Sequence, residues 1–348
     1  MLAATIVPGR PGDSRLDELA ESGDGSIVVD GLLVGVCATD REIIRDGFGG
    51  LPPGRDRMIG FHESLGRVRS APQGSGFAAG DLIAGIVRYP CAEPTCRPCR
   101  AGEWDYCASG DYTERGITRR DGFGAQRWRT DPAYAVRLDP SLARAGVLAE
   151  PMSVVAKAWR QVDAVHARSA VAPRTVAVIG AGPIGLLAAM VGVRRGLDVH
   201  VTDVVADGPK PDLVRDLGAT YHAEPIEQAG VRADVVLEAA GSAETTWRAV
   251  QATARNSVTC LIGLSERRTD FRPDPQQLFG PMIGGNRAVL GTVNAGRPDW
   301  QVAAAELARA DVGWLERLLT RVVPLRSWPD ALTPHPGDVK VVVDLTDA

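Results

Sequence analysis

The sequence predicts an α/β protein of two domains, one mostly β and one built on a doubly wound parallel sheet. Three observations lead to this prediction. The chain has 348 residues, which is too long for one ordinary compact core. Short apolar runs between glycines and prolines dominate up to about residue 150, and strands alternate with helices after Pro151. We expect the mostly β domain over 1–152 and 295–348, and the parallel-sheet domain over 153–294.

Strand patterns separated by turns define the mostly β domain. Residues 26–36 form an apolar, β-branched run, and residues 82–87 form another directly after the turn signal Gly80-Asp81. The last β-run, residues 339–345, is predicted to return to this domain from the other one.

Alternating strands and helices define the second domain. Apolar residues at helical spacing predict helices over 153–165 and 184–195. Strands are predicted over 175–179, 197–202, 235–238, 258–263 and 289–293. Because strands alternate with helices over this distance, we expect a parallel sheet with helices on both faces.

Composition indicates a globular protein and argues against two classes of partner. Hydrophobic residues make up 45% of the chain, charged residues 24%, and the formal net charge is −4. Since there is no basic excess and no long run of like charges, we expect no binding to nucleic acid or membranes. The N-terminus shows no secretion-signal pattern, and the longest apolar stretch, 176–193, is interrupted by glycines. We expect a cytoplasmic protein.

A glycine fingerprint lies between the first predicted strand of the second domain and the helix that follows it. The spacing G-x-G-x-x-G permits a tight turn and a close approach of the backbone to a pyrophosphate, which the N–H groups of the helix N-terminus then bind. The alternative is a glycine-rich turn with no nucleotide. The residues predicted to bind a dinucleotide are Gly180, Gly182, Pro183, Ile184 and Gly185.

Asp203 lies about 20 residues further on, at the end of the next predicted strand. A carboxylate at this position binds the ribose 2′-hydroxyl of NAD and repels the 2′-phosphate of NADP. The three residues after Asp203 are uncharged, so NAD is favoured over NADP. Lys210 and Arg215 are close enough in sequence to keep NADP open as an alternative.

Four of the six cysteines fall in one short segment with the spacing Cys91-x4-Cys96-x2-Cys99-x7-Cys107. Four thiolates at this spacing are typical of a closed, tetrahedral structural zinc site. A disulfide scaffold spreads its cysteines along a smaller chain, so a metal site in a reducing compartment is favoured. Free surface thiols are the alternative.

A second group of potential metal ligands comprises Cys37, the pair His62-Glu63, and Glu150. One cysteine, one histidine and a carboxylate would leave a fourth zinc position open for substrate, as catalytic zinc requires. The spacing of these residues is equally compatible with structural roles.

The motifs together resemble those of the zinc-dependent medium-chain alcohol dehydrogenases, and most of all the glucose dehydrogenase branch. The similarity follows the whole chain in order: residues 35–43, His62-Glu63, the four-cysteine segment, residues 102–107, 114–117 and 121–123, residues 150–155, the glycine fingerprint and residues 293–295.

The resemblance implies a GroES-like, mostly β catalytic domain and a Rossmann domain, with the active site in the cleft between them. Cys37 and His62 match ligands of the catalytic zinc, and Glu63 and Glu150 match its third and fourth positions. Thr39 matches the hydroxyl that hydrogen-bonds the substrate oxygen. The positions that match contacts to sugar hydroxyls or to the cofactor are Glu114, Glu150 and Asn294. Dimers or tetramers are usual in this family, so a homo-oligomer is expected.

This resemblance also implies a reaction. Zinc lowers the pKa of a substrate hydroxyl, Thr39 accepts the proton, and a hydride passes to the nicotinamide. The alternatives are a simple-alcohol or amino-alcohol dehydrogenase, and a non-catalytic relative that binds a nucleotide.

Three departures from the family pattern bear on the site. Phe61 replaces the glycine that usually precedes the His-Glu pair, which is expected to reshape the metal loop. The spacer between Cys91 and Cys96 is longer than usual. Of the four cysteines, Cys91 is therefore the one whose place in the structural site the spacing determines least. Val154 and Ala156 stand where this branch often has an acidic residue that binds sugar hydroxyls. A related pyranose, furanose, cyclitol or modified sugar is therefore as compatible as glucose.

Overall fold

Two units make up the computed structural model, which describes residues 1–20, 24–264 and 270–347. Unit 1 comprises Met1–Ser153 and Asn294–Ala348, and unit 2 comprises Val154–Val293. Ser153 and Asn294, the two end residues of the predicted parallel-sheet domain, fall in unit 1. No helix in the described ranges combines the length and the apolar character needed to cross a membrane.

Both units are built from short strands and helices, which are numbered in chain order. The strands are β1 (Leu2–Ile6), β2 (Arg15–Glu18), β3 (Ile27–Val36), β4 (Met58–Ile59), β5 (Glu63–Ser70), β6 (Leu82–Gly85), β7 (Arg88–Tyr89), β8 (Thr113–Arg115), β9 (Arg119–Arg120), β10 (Arg127–Thr130), β11 (Ala135–Arg137), β12 (Thr175–Ile179), β13 (Asp198–Thr202), β14 (Thr220–His222), β15 (Ala233–Glu238), β16 (Thr253–Leu261), β17 (Ala288–Gly291), β18 (Arg321–Pro324) and β19 (Val341–Asp344). The helices are α1 (Ala38–Asp46), α2 (Arg97–Arg100), α3 (Ala149–His166), α4 (Pro183–Arg194), α5 (Pro209–Asp216), α6 (Ala243–Gln251), α7 (Gln276–Gly285), α8 (Arg297–Ala308) and α9 (Val312–Arg317).

Unit 1 is mostly β, as predicted. Its main sheet has the order β11-β6-β5-β3-β19-β18, and β10 also pairs with β3. Two smaller sheets have the orders β2-β1-β4 and β7-β8-β9. The central strand β3 is almost wholly buried, which explains its nearly continuous apolar sequence. Strand β19 pairs antiparallel with β3, so the prediction that the last β-run returns to this domain is confirmed.

Unit 2 carries a parallel sheet with the order β14-β13-β12-β15-β16-β17. The order reverses between β12 and β15, which is the topological switch point of a doubly wound fold. All five predicted strands of this domain are present, with ends shifted by a few residues. The carboxyl ends of β12, β13 and β15 share one edge, and the predicted dinucleotide-binding residues follow β12 and β13 there.

Helix α3 begins at Ala149, four residues before the predicted start of that helix at residue 153. Pro151 lies in its first turn, where backbone N–H groups have no partner within the helix, so the missing proline N–H costs nothing there. The first turn therefore places Glu150 on a helix.

Candidate active site and metal centres

The end of β3 and the start of β5 bring Cys37 and His62 together. Gly35 pairs with Glu63 across these antiparallel strands, so the residues just beyond them are neighbours. The Sγ of Cys37 lies 3.3 Å from Nε2 of His62. Asp40, on the first turn of α1, accepts a hydrogen bond of 2.8 Å from the backbone N–H of Cys37 and fixes the turn.

Asp40 also lies beside the imidazole of His62. Its Oδ1 lies 3.2 Å from Nδ1 of His62, so Nε2 is the nitrogen left to face Cys37. Burial opposes a positive charge on His62, yet the neighbouring Cys37 and Asp40 hold the pKa of this imidazole well above its ordinary value. The buried cluster thus favours a cation between its donor atoms. Asp40 lies in the motif that carried the sequence prediction, but no role was assigned to it.

Two carboxylates complete this cluster. Each of three residues offers one potential ligand atom, and these atoms all lie within 4.8 Å of one another; the residues are His62, Glu63 and Glu150. Both oxygens of Glu63 lie 2.6 Å from Nζ of Lys340, a fully buried ion pair. Burial, assisted by the charge of Glu63, raises the pKa of Glu150 to about 7, while His62 and Lys340 oppose the shift.

A glycine makes room for the Glu63 carboxylate. A Cβ built at Gly35 would lie 1.9 Å from Oε2 of Glu63, so a larger residue at this position would displace the carboxylate. Lys340 additionally donates to the carbonyl oxygen of Val36, at 3.3 Å. This lysine was missed by the sequence analysis, because it is 277 residues from Glu63 and belongs to no motif.

The donor set fits a catalytic zinc. A thiolate, an imidazole and one or two carboxylates are ordinary zinc ligands, and three of them leave a position for substrate. Thr39, two residues after Cys37 on α1, is half-buried, and its hydroxyl has no hydrogen-bond partner within the described residues. It is free to bind a substrate oxygen.

Phe61 explains why a glycine is usual before the His-Glu pair. Its φ is 67°, in the left-handed region that favours glycine. The buried Phe61 ring packs edge-on against Trp328, with ring centroids 5.6 Å apart. Apolar packing thus holds a strained backbone directly before His62.

The four-cysteine segment closes into one cluster. The four cysteine Sγ atoms all lie within 4.8 Å of one another, and none of the four forms a disulfide. Cys91 joins despite its long spacer because Glu93 folds that spacer: its carboxylate accepts from the backbone and hydroxyl of Thr95. Backbone N–H groups, that of Cys99 first, lower the pKa of the Cys96 thiol to about 6, whereas burial raises the pKa of the Cys99 thiol to about 12. The lowered pKa of Cys96 favours the thiolate that zinc binds.

Glu114 and Asn294 lie together in unit 1. Oε1 of the buried Glu114 accepts hydrogen bonds of 2.9 Å from Nδ2 of Asn294 and from Nε of Arg88. Arg88 is also buried and was not singled out in the sequence. Asn294 has a φ of 58°, a left-handed conformation that asparagine tolerates better than most residues.

The glycine fingerprint in unit 2 has the geometry expected of a phosphate-binding turn. Gly180 has a φ of 98°, and a Cβ at Gly185 would lie 1.8 Å from the carbonyl oxygen of Gly180. Gly182 faces open space, so the backbone there is accessible to a ligand. Pro183 and Ile184 form the first turn of α4, whose N-terminus points at the turn.

Asp203 is already held by neighbouring groups. Its Oδ2 accepts a hydrogen bond of 2.7 Å from the backbone N–H of Ala181 and lies 3.0 Å from Nζ of Lys210. Arg215 pairs instead with Asp212, at 3.1 Å. Of the two cations that the sequence left open, Lys210 is therefore the one beside the predicted ribose ligand.

Glu238 was missed by the sequence analysis, although it ends the β15 run. It is fully buried, and Oε1 accepts hydrogen bonds from the backbone of Ala240 and Gly241 and from the hydroxyl of Thr245. Its Oε2 has no partner among the described residues. A Cβ at Gly180 would approach the Ala240 nitrogen to 3.1 Å, so Glu238 fixes the loop that packs on the fingerprint turn.

Replacing Glu238 by glutamine is expected to change how stability depends on pH. Burial raises the pKa of Glu238, so the folded state holds its proton more strongly than the unfolded state. The stability of the wild type should therefore fall, relative to Glu238→Gln, as pH rises from the ordinary carboxyl pKa to the raised one, and then level off. Urea unfolding between about pH 4 and 8 measures this difference. Glu316→Gln, at an exposed position, is the control. The prediction would be contradicted if the difference in unfolding free energy from the wild type did not change with pH for either variant.

Comparisons with known proteins agree with this geometry. The family model described as "Glucose dehydrogenase C-terminus" matches residues 143–345, and the one described as "Alcohol dehydrogenase GroES-like domain" matches residues 23–140. Together with the parallel sheet of unit 2, they confirm the predicted GroES-like and Rossmann combination.

Relatives of similar length match from end to end. A glucose 1-dehydrogenase of Thermoproteus tenax is 36% identical and one of Methanocella arvoryzae is 34% identical, each over 99% of both chains. The structure of Haloferax mediterranei glucose dehydrogenase in complex with NADP, Zn and gluconolactone is 28% identical, with a TM-score of 0.90 over 99% of both chains. The chain therefore belongs to the zinc-dependent medium-chain alcohol dehydrogenase family, in its glucose dehydrogenase branch, and is an oxidoreductase that acts on a CH–OH group with a nicotinamide cofactor.

Proposed function

We propose that this chain oxidises a hydroxyl of a sugar, cyclitol or related polyol, or reduces the corresponding carbonyl, and that it prefers NAD. Two groups of potential ligands that share His62 carry the proposal, Cys37 with Asp40 and Glu63 with Glu150, because together they offer zinc a thiolate, an imidazole and carboxylates. The glucose 1-dehydrogenases that are similar over the whole chain support a polyhydroxylated substrate. The hydrogen-bonded pair Glu114 and Asn294 supplies polar groups for sugar hydroxyls.

The site residues would have separate roles in zinc binding, proton transfer and cofactor binding. Cys37 and His62 would hold zinc, with Glu63 or Glu150 as further ligands, and Asp40 would keep Nε2 of His62 facing the metal. Bound zinc supplies a Lewis acid that lowers the pKa of the substrate hydroxyl. Oγ1 of Thr39 would accept the hydroxyl proton and pass it towards solvent. The fingerprint turn and Asp203 would bind and orient the cofactor that accepts the hydride.

A substrate panel tests the proposal. Zinc-loaded protein is mixed with sugars, cyclitols, simple alcohols and amino alcohols, each with NAD and with NADP, and the absorbance of the reduced nicotinamide is followed. We expect turnover with at least one sugar or cyclitol, and faster with NAD. Turnover confined to simple or amino alcohols would show that the substrate is an alcohol of that class and not a sugar, cyclitol or polyol. Protein that binds a nucleotide but retains no zinc and turns over no compound would be the non-catalytic relative.

The cofactor preference has its own test at Asp203. We expect Asp203→Asn to lower the ratio of kcat/KM for NAD to kcat/KM for NADP by about tenfold, since one charge-assisted hydrogen bond to the ribose is lost and repulsion of the 2′-phosphate is removed. Lys210→Met should change the ratio the other way, because Lys210 is the cation paired with Asp203. An unchanged ratio in both variants would show that neither residue distinguishes the ribose 2′-hydroxyl of NAD from the 2′-phosphate of NADP.

We further propose that the protein works as a homo-oligomer in the cytoplasm. Strand β17 is an edge strand with one partner among the described residues, and Phe279 and Ile283 of the neighbouring α7 are 54% and 81% exposed. The close grouping of Cys91, Cys96, Cys99 and Cys107, which suits a metal site, supports a reducing compartment. Molar mass from light scattering tests the oligomer, and a monomer at micromolar concentration would contradict it.

A further inference from the structure

Three arginines lie along one edge of the parallel sheet in unit 2. Arg232 directly precedes β15, Arg287 directly precedes β17, and Arg255 lies near the start of β16 between them. These strands are adjacent and parallel, with Ala233 opposite Thr253 and Val258 opposite Ala288, so their amino ends share an edge. The fingerprint turn lies at the carboxyl ends of the strands, and β12, of five residues, separates the two edges by roughly 17 Å.

In the part of the chain that the structure describes, no acidic side chain forms an ion pair with these three arginines. Within the described ranges, Arg232, Arg255 and Arg287 form no ion pair and no side-chain hydrogen bond. Burial lowers the pKa of Arg287, and the charges of Arg232 and Arg255 lower it further. The guanidinium group of Arg287 is therefore close enough to those of Arg232 and Arg255 to be repelled by them, and a bound anion would relieve that repulsion.

Arg287 is held in place rather than freely solvated. Its side chain folds over Gly285, where a Cβ would lie 2.9 Å from Nε, and Nε itself is buried with no acceptor among the described residues. Ser257 precedes Val258 in the neighbouring strand, at the level of Arg287, and its buried hydroxyl also has no partner there. Two polar groups without a partner among the described residues thus lie at adjacent positions of one edge.

The backbone beneath the cluster is fixed by a fourth arginine. Arg168 donates to the carbonyl oxygens of Ser257, at 3.2 Å, and of Asn286. Nδ2 of Asn286 donates to Oδ1 of Asn256 at 3.3 Å, and both asparagines have left-handed backbones, with φ of 51° and 63°. The loops that carry Arg255 and Arg287 are therefore tied together, so little conformational freedom remains to be lost when an anion binds.

We propose that Arg232, Arg255 and Arg287 form a binding site for a phosphate dianion, either inorganic phosphate or the phosphate group of a small metabolite, separate from the cofactor. Guanidinium groups present planar forks of N–H donors that match phosphate oxygens and remain charged at all physiological pH values. The site does not depend on the proposed substrate or on zinc, because all its residues lie in unit 2 at the edge away from the fingerprint.

Calorimetric titration tests the site with inorganic phosphate as the probe. The protein carries saturating reduced nicotinamide cofactor, so that the fingerprint turn is occupied, and chloride keeps the ionic strength constant. We expect phosphate to bind the wild type, and the Kd to rise about tenfold or more in Arg255→Gln and in Arg287→Gln, since each removes a charge-assisted hydrogen bond. Arg287→Lys should weaken binding less than Arg287→Gln. Arg326→Gln, which removes an exposed arginine of unit 1, should leave the Kd unchanged.

The outcomes are distinct because Arg255 is exposed and its replacement does not disturb the core. Tighter binding of glycerol phosphate than of inorganic phosphate would identify a metabolite as the source, and the reverse order would identify free phosphate. No binding to the wild type, an equal Kd in all variants, or binding of long polyanions alone would overturn the proposal. A changed molar mass in Arg255→Gln without phosphate binding would also overturn it, because the arginines would then serve a contact between chains.

Discussion

Cys37→Ala is expected to lose one of two bound zinc ions and nearly all turnover. In the proposed site Cys37 would be the sulfur ligand, its Sγ lying 3.3 Å from Nε2 of His62, and alanine would leave the metal with an imidazole and carboxylates only. Changes to the outer partners of zinc sites already cost about 10- to 100-fold. Loss of a direct ligand should therefore lower kcat/KM by at least about 100-fold. Metal analysis of the purified protein and initial rates with the best substrate of the panel measure both effects.

Cys96→Ser is the matched control, because it removes a thiolate from the other cluster. We expect this variant to lose the second zinc ion and to unfold at a lower temperature, while folded molecules retain turnover. The four-cysteine segment has little regular structure, and closed zinc sites supply folding free energy directly. If Cys37→Ala kept both zinc ions and full activity, or if both variants lost the same ion, the assignment of the two sites would be wrong.

Local spacing carried most of what the sequence predicted. The glycine fingerprint and the four-cysteine segment each bring their residues together within one turn or one short loop, so the order of residues nearly determines the geometry. Five strands and two helices of the parallel-sheet domain were predictable for the same reason, since the hydrophobic period indicates which face is buried. Strand β14 and helices α5, α6 and α7 were not predicted. The family resemblance then added the pairing of Cys37 with His62, which spacing alone had left open.

Contacts between distant parts of the chain could not be predicted in this way. Asn294 donates to Glu114 across 180 residues, and Lys340 pairs with Glu63 across 277. Lys340 lies at the start of a β-run whose neighbours are valines, and only the antiparallel pairing of β19 with β3 places it beside Glu63. Arg88 and Glu238 were likewise hidden, because a buried polar group is recognised by its partners and not by its neighbours in sequence.

The domain boundary at Asn294 shows a different limit. Sequence patterns assigned this residue to the parallel-sheet domain because it follows the last predicted strand, 289–293. In the structure β17 ends at Gly291, and Asn294 belongs to unit 1, where Glu114 accepts its hydrogen bond. The hydrogen bond to Glu114 is a tertiary contact, and it places Asn294 in unit 1. The hydrophobic period of the sequence cannot predict such a contact.

Lys340→Met is expected to destabilise the fold by about 3–5 kcal/mol, the usual cost of leaving a buried charge without its partner. Both side chains of the pair with Glu63 are 2% exposed, so water cannot replace the lost ammonium group. Methionine fills a similar volume without charge, so the effect reports the lost ion pair more than a cavity. Urea unfolding of metal-free protein measures the change.

The double variant Lys340→Met with Glu63→Gln separates charge from packing. Because it removes both charges, it should recover most of the stability that Lys340→Met loses, whereas a packing defect would persist. Zinc adds a second comparison. If Glu63 binds zinc directly, the metal can replace Lys340 as its counter-ion, and Lys340→Met should be less destabilising in zinc-loaded protein than in metal-free protein. Equal destabilisation in both states would mean that Glu63 does not ligate the metal, and that Cys37, His62 and Glu150 must hold it.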